Sequence, residues 1–145
     1  MKLSTRVRYG VRLMISLAEK FGTGPMYLKD IAAEQEISEK YLSLIVLPLR
    51  SAGLVISSRG AHGGYTLARD PKKISLKEIV DTLEGESCLV DCVREPSSCS
   101  RTAICPTRDI WLTVGERISE TLDETTLDQL AASSRQKKQA IAEDK

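Results

Sequence analysis

Residues 28–55, LKDIAAEQEISEKYLSLIVLPLRSAGLV, decide the fold. They hold two short amphipathic patterns, one from Leu28 to Gln35 and one capped by Ser38, separated by a break at Glu36 and Ile37. Apolar residues three and four apart predict the inward stripe of each helix. Two such helices joined by a short turn form a helix-turn-helix, whose second helix can enter a major groove about 12 Å wide. The segment indicates DNA binding, although any three-helix bundle would show the same pattern up to this point.

The segment that follows strengthens the case for DNA. Gly53 ends the second of these helices, residues 54–57 have strand character, and SRGAHGGY (58–65) leads into a second strand. Glycines at the tip permit positive backbone angles and a close approach to another surface. Arg59 and His62 flank the tip, so this hairpin is predicted to be a wing that lies along a minor groove or the phosphate backbone. His62 could also bind a metal, but a single histidine in a glycine turn, far in sequence from the cysteines, favours a contact with DNA or with the backbone.

Further helices are predicted on either side of this unit. Ser4 caps a first helix that runs to Phe21, and Ser75 opens another that stops at Gly85. A long helix starts at Pro106, because proline is favoured at the first helical position. Its apolar stripe consists of Ile110, Val114, Ile118 and Leu122. Such a stripe needs a partner, which is either the winged domain or a second copy of the helix in a dimer.

A polar loop between these last two helices carries all the cysteines of the chain. The four residues follow a C-x3-C-x6-C-x5-C spacing at Cys88, Cys92, Cys99 and Cys105. Soft thiolates gathered on a loop with few apolar residues suit a soft metal centre. Two disulfides, in any of three pairings, and four free thiols remain open alternatives. In a reducing compartment, clustered cysteines are more often ligands than bridges.

Composition bounds the remaining classes of function. The 145 residues are enough for one domain with its own core, and the net charge is +1. Residues 1–70 carry 10 Lys and Arg against 6 Asp and Glu, whereas residues 71–145 carry 11 against 14, so the first half better fits a polyanion. We find no signal peptide, no apolar run of roughly 18 residues for a membrane span, and no catalytic nucleophile and base, which predicts a cytoplasmic protein that is not an enzyme.

Five stretches resemble the IscR-type winged-helix transcription regulators, a family with iron-sulfur and nitric oxide sensors. They are MKLSTRVRYGVRLMISLA (1–18), residues 28–55, SRGAHGGYTLAR (58–69), SLKEIVDTLEG (75–85) and the cysteine loop leading into CPTRDIW (105–111). The resemblance covers roughly residues 1–132. It implies a homodimer formed through the long helix, two recognition helices reading the halves of a palindromic operator in double-stranded DNA, and an iron-sulfur cluster with two irons favoured over four.

The resemblance places the cluster on three cysteines, Cys92, Cys99 and Cys105. The fourth ligand departs from the family pattern. Arg108 stands where IscR-type proteins have histidine. Arg8 stands where the nitric oxide sensors of this family, the NsrR type, have an acidic residue. A guanidinium has no free lone pair to give a metal. Cys88 is therefore the first candidate for the fourth ligand, since thiolate suits iron, with Asp91 or Glu95 second; Cys88 could equally be a spare thiol.

The DNA contacts are predicted from the same segments. We expect base contacts from Ser38, Lys40, Tyr41 and Arg59, and phosphate contacts from Lys2, Ser4 and Arg8. The recognition helix has YLSL at residues 41–44 where the family usually has YLEQ, so the operator cannot be transferred from relatives. Leu44 falls away from the core stripe and could touch a thymine methyl or a protein neighbour. Pro48 is predicted to kink the helix or to end it near Leu47.

Together these observations predict a mostly α fold with a small β-hairpin, namely a winged helix-turn-helix domain plus a long dimerisation helix. The predicted parts are a winged domain (1–85), a cluster-binding loop (86–105), the dimerisation helix with a short C-terminal helix (106–132) and a flexible tail (133–145). The predicted function is a transcription regulator controlled by an iron-sulfur cluster and governing cluster assembly genes. Alternatives are a nitric oxide or redox-responsive repressor, a regulator with structural zinc, and a cluster or electron carrier.

Overall fold

The computed structural model describes residues 2–61, 63–86 and 88–145. Within these ranges seven α-helices and a two-stranded antiparallel sheet follow one another along the chain. They are α1 (Thr5–Glu19), α2 (Leu28–Gln35), α3 (Glu39–Ser51), β1 (Val55–Ser58), β2 (Gly64–Leu67), α4 (Leu76–Glu84), α5 (Asp91–Arg94), α6 (Pro106–Glu124) and α7 (Leu127–Glu143). None of the helices described has both the length and the apolar run needed to cross a bilayer. The predicted fold class is confirmed.

The core lies around α1 and draws on α2, α3, α4, α7 and both strands. Leu13 of α1, Leu42 of α3, Ile79 of α4 and Leu127 of α7 are all fully buried. Burying each of these side chains contributes about 1.5–3 kcal/mol relative to leaving it exposed. A side chain at Gly10 would collide with a methyl group of Leu83 on α4, so glycine allows α1 and α4 to pack closely.

The helix-turn-helix has the geometry that the sequence predicts. Glu36 adopts a left-handed conformation with φ of 54°, which lets the chain turn sharply after α2. Ile37 is buried beneath the turn, and its N–H donates to the carbonyl of Ala32 at 3.0 Å. The Ser38 hydroxyl then accepts a hydrogen bond from the N–H of Tyr41 at 3.1 Å and starts α3.

Of the two outcomes predicted for Pro48, an end of α3 near Leu47 is wrong. The helix continues through Pro48 to Ser51. Proline lacks an N–H and removes the helical donor for the carbonyl of Leu44. Buried residues on both sides of Pro48, including Val46 and Leu49, anchor the helix against the core and keep the final turn helical.

The wing is a short hairpin reinforced by a third segment. Strands β1 and β2 pair antiparallel, with Val55 opposite Leu67 and Ser58 opposite Gly64. Met26, just before α2, exchanges two backbone hydrogen bonds with Tyr65 of 2.9 and 2.8 Å. The wing is thus joined by its backbone to the start of the helix-turn-helix.

The C-terminal helix differs from its prediction. A short helix ending near residue 132 is expected from the sequence, but α7 continues to Glu143. Lys138 reaches the carboxylates of Glu19 on α1 and Glu34 on α2, at 2.7 and 2.9 Å. These ion pairs, together with alanine, glutamine and lysine residues that favour helix, explain why the polar segment is helical.

Candidate nucleic-acid interface and cysteine loop

The outward side of α3 carries the predicted base-reading residues. Lys40 is exposed, whereas the ring of Tyr41 is half-buried and packs edge-on against Tyr9 with their centroids 5.7 Å apart. The Ser38 hydroxyl is occupied as the helix cap. The structure therefore leaves Lys40 free to reach a base, gives Tyr41 a packing role, and fixes Ser38 at the start of the helix.

The wing presents Arg59 to solvent next to the tip. Two residues that sequence reasoning missed hold this region in place. The hydroxyl of Tyr27 donates to the carbonyl of Ala61, and Arg50 at the end of α3 donates to the hydroxyl of Ser57 at 3.4 Å. Neither contact has a local signal, since each joins residues that are distant in sequence or on different elements. His62 lies outside the described residues.

The three residues predicted to contact phosphates at the N-terminus have different surroundings. Arg8 is exposed and donates to the hydroxyl of Thr5 at 3.2 Å, so its charge faces solvent. The Ser4 hydroxyl caps α1, and the backbone N–H of Ser4 donates to the carboxylate of Glu84 at 2.9 Å. Lys2 lies beside α6 in the wall of a cavity, on the side of the molecule that carries the cysteine loop.

The cysteine loop consists of α5 and two single turns of 3-10 helix, Pro96–Ser98 and Thr102–Ile104, none of which buries a residue. The Thr102 hydroxyl donates to the carbonyls of Pro96 and Cys99, at 2.7 and 2.6 Å, and closes the second half of the loop. All four cysteines are unpaired thiols. In residues 88–105, which the structure describes, hydrogen bonds to the backbone hold the loop, no disulfide forms, and none of its helical turns buries a residue.

Arg108 and Cys105 connect the loop to the start of α6. The Arg108 side chain donates from Nε to the carbonyl of Cys92 at 3.1 Å. Cys105 is the N-cap of α6, and its sulfur lies 3.1 Å from the hydroxyl of Thr107. Hydrogen bonds from the Thr107 hydroxyl and from the Arg108 backbone lower the pKa of the Cys105 thiol. A thiolate is thus favoured where the loop meets the long helix.

The predicted ligands are not gathered around one point. Within residues 2–61, 63–86 and 88–145, no three side chains of cysteine, histidine, aspartate or glutamate lie close enough to hold one metal ion. Cys88, for example, donates to the carbonyl of Val90 at 3.3 Å. The chemistry of the donor set nevertheless fits a thiolate-bound metal or cluster, because four free thiols share a short loop and one has a lowered pKa.

A cavity of about 780 Å³ lies between α4, α6 and the beginning of the loop. Its lining includes Val80 of α4, Cys88, and Trp111 and Ile118 of α6. Helix α6 buries no residue, and both Ile110 (58% exposed) and Trp111 (42% exposed) present apolar surface. The long helix therefore has an uncovered apolar face in the single chain.

Comparison with known proteins agrees with this arrangement of helices, wing and loop. Residues 3–133 match the model of a family, Rrf2, described as iron-dependent transcriptional regulators. The chain belongs to the Rrf2 family. Rrf2 proteins are transcriptional regulators that bind DNA, so this chain is a regulator and not an enzyme.

Two kinds of Rrf2 regulator resemble the chain along most of its length. The HTH-type transcriptional regulator CymR of Bacillus subtilis (strain 168) is 42% identical over 132 residues, which cover 91% of each chain. The solved structure of CymR, the global cysteine regulator of B. subtilis, has a TM-score of 0.77 and covers 92% of this chain and 98% of its own. The structure of T. potens IscR is 41% identical, with a TM-score of 0.75, and covers 92% of this chain and 88% of its own.

Proposed function

We propose that this Rrf2 regulator is a cytoplasmic homodimer that binds a palindromic operator, and that an iron-sulfur cluster on the cysteine loop controls its affinity for DNA. The observation that carries this proposal is the loop itself. Four unpaired cysteines lie on a segment without buried residues, and the segment leads directly into a long helix with an uncovered apolar face. Genes of cluster assembly are the expected targets, by resemblance to IscR-type regulators.

The apolar face of α6 supports the proposed dimer. Ile110, Val114, Ile118 and Leu122 repeat at four-residue intervals along a helix of 19 residues. Leu122 packs against the core of its own chain, whereas Ile110 and Val114 are exposed. A second copy of the helix would cover this surface in a two-fold arrangement, in which the same patch serves both subunits. Two-fold symmetry would then place two recognition helices on half-sites about 34 Å apart.

The thiols of Cys92, Cys99 and Cys105 would hold the cluster, and Cys88 would supply the fourth ligand. Arg108 cannot coordinate a metal, because its guanidinium has no free lone pair. Its hydrogen bond to the Cys92 carbonyl gives it a positioning role, since it ties α5 to the first turn of α6. A bound cluster would supply bonds from the loop to the start of the dimer helix.

The residues of the chain provide a path from this loop to DNA. Cys105 caps α6, and Cys88 lies in the wall of the cavity between α6 and α4. Helix α4 packs closely on α1 at Gly10, and the same glycine position faces Ile45 of the recognition helix. Ordering the loop can therefore change how α6 sits against the domain that carries α3. Coupling is reciprocal, so an operator that binds the cluster-loaded form more tightly must also stabilise the cluster.

The test is anaerobic purification followed by iron, sulfide and zinc analysis, a visible spectrum, and DNA binding at fixed salt. We expect near-equal iron and sulfide, and a spectrum that Cys92→Ser, Cys99→Ser and Cys105→Ser each abolish. Ser100→Ala, in the same loop, is the matched control and should leave the spectrum unchanged. If Cys88→Ser also leaves it unchanged, the fourth ligand lies elsewhere.

A second candidate is the same DNA-binding dimer regulated without iron. Two observations support this candidate. The predicted ligands lie apart in the described residues, and the chain is 42% identical to CymR. A protein that lacks iron and sulfide, and whose DNA affinity is unaffected by the cysteine substitutions, would support this candidate over cluster control. One tightly bound zinc per chain would instead indicate a structural metal on the four thiolates.

A further inference from the structure

The recognition helix carries two leucines on its solvent side. Leu44 is 60% exposed and Leu47 is 48% exposed, although α3 also provides buried core residues on its opposite side, such as Leu42 and Ile45. Residues three apart are neighbours on a helix surface, so Leu44 and Leu47 form one apolar ridge. The core does not need either side chain, and both remain outside it.

Basic groups surround this ridge and indicate what covers it. Exposed Lys40 lies one turn before Leu44, and exposed Arg50 lies one turn after Leu47. Arg50 is also bonded to Ser57 of the wing, which carries exposed Arg59 two residues later. An occupant that meets basic groups at both ends and leucine between them must be anionic at its edges and apolar at its centre. A major groove with a thymine has this chemistry, because phosphates border it and the thymine C5-methyl is the apolar group on its floor.

We propose that Leu44 is a specificity-determining residue that packs against the C5-methyl group of a thymine in each half-site. This inference rests on the proposed DNA binding. Leu44 lies in the second turn of α3, and recognition helices contact base edges mainly with their N-terminal residues. Leu47 lies one turn further along and is expected to face the groove wall, away from the base edges.

The test compares thymine with deoxyuridine, which differs from it only by lacking the methyl group. Purified full-length protein first selects an operator from random duplexes, and each dT of that operator is then replaced singly by dU. Dissociation constants are measured by fluorescence anisotropy at one salt concentration, because affinity for DNA varies steeply with salt. We expect one symmetry-related thymine position at which dU weakens binding about fourfold, the effect of exposing one methyl group.

Substitutions at the two leucines assign the methyl contact to a side chain. Leu44→Ala should weaken binding to the dT operator about fourfold or more and bring the dT to dU ratio at that position close to one. Leu47→Ala removes a side chain of the same size from the same ridge and should keep the ratio near four. Both side chains are largely exposed, so circular dichroism should show folded proteins.

The outcomes separate this inference from the proposal on which it rests. If no duplex is selected, the proposed DNA binding fails. If an operator is selected but no dU replacement weakens binding, the methyl contact is wrong while DNA binding stands. A dT to dU ratio that survives Leu44→Ala and disappears in Leu47→Ala would move the contact to Leu47 and overturn the assignment.

Discussion

The winged domain and the segment made of the cysteine loop and α6 are built in opposite ways. Helices α1, α3, α4 and α7 each bury at least two residues in a common core, whereas α5, the two 3-10 turns and α6 bury none. The first region is stabilised by its own packing. The second lacks buried residues of its own, and the metal and the second chain proposed above would supply the contacts that it lacks. This contrast suits a regulator whose DNA-binding part stays folded while its control region changes state.

The largest expected effect comes from breaking the packed region at α7. Leu127→Ala should lower the free energy of unfolding by about 2–5 kcal/mol, because Leu127 is fully buried. Ile141→Ala on the same helix is the matched control, and we expect a change within about 0.5 kcal/mol because Ile141 is exposed. Chemical denaturation measures both. Equal effects would show that α7 does not belong to the core.

The next effect concerns the uncovered face of α6. Trp111→Glu should raise the dimer dissociation constant at least tenfold, since it places a charge in the predicted interface, and DNA binding should weaken with it. Trp111→Phe keeps an aromatic ring and should restore most of the dimer. Sedimentation velocity at several concentrations distinguishes these variants. A Trp111→Glu protein that remains fully dimeric would place the interface elsewhere.

A smaller effect is expected at the ion pairs between α7, α1 and α2. Lys138→Met should lower the free energy of unfolding by about 1 kcal/mol, because Lys138 is 52% exposed and solvent screens its two ion pairs. The side chain of Glu19 is only 9% exposed, so the removal of Lys138 destabilises the Glu19 carboxylate more than it destabilises the Glu34 carboxylate. Urea denaturation at neutral pH gives the value.

The stability that these ion pairs contribute depends on pH. Burial acts to raise the pKa of Glu19, but the hydrogen bond from Lys138 and the charges of Lys138 and Arg135 hold the pKa below the ordinary 4.5. The Glu19 hydrogen bond raises the pKa of Lys138 above 10.5. The contribution of these ion pairs to the free energy of unfolding is therefore complete between pH 4.5 and 10.5. It is lost as the pH falls through the lowered pKa of Glu19, and it is also lost as the pH rises through the raised pKa of Lys138. A difference between wild type and Lys138→Met that varies with pH inside this window would contradict the assignment.

The smallest effect lies within the loop. Thr107→Val removes the hydroxyl that lowers the pKa of Cys105, so the thiolate should form at higher pH. Alkylation of the metal-free protein by iodoacetamide at pH 7, followed by peptide mass spectrometry, should be slower at Cys105 in this variant. Alkylation at Cys99, which is exposed and does not contact Thr107, serves as the internal control. Equal slowing at both cysteines would indicate a general change in the loop.

Local sequence patterns predicted where most helices and strands begin, but they did not predict features that depend on contacts between distant elements. The helix-turn-helix and the Pro106 start of α6 could be predicted because spacing and caps act within a few residues. The length of α7 could not, since Lys138 finds its carboxylates more than 100 positions earlier in the chain. The end of α3 predicted near Leu47 was wrong because tertiary packing outweighs the loss of one helical hydrogen bond.

The candidate site shows the same limit. The four cysteines and the exposed Lys40 and Arg59 could be identified by residue type and position. The hydrogen bond from Arg108 to the Cys92 carbonyl could not, because the sequence shows only that histidine is replaced. Arg50 and Tyr27, which hold the wing, lacked any local pattern that marks them.

The packing of α7 on α1 also bears on how the protein is made. Leu127 and Ala131 are synthesised more than 100 residues after Leu13, yet they fill the same core as this residue of the first helix. The winged domain therefore cannot complete its core during translation until α7, and with it the cysteine loop, has left the exit tunnel. The whole cysteine loop is thus outside the ribosome before the core of the winged domain closes.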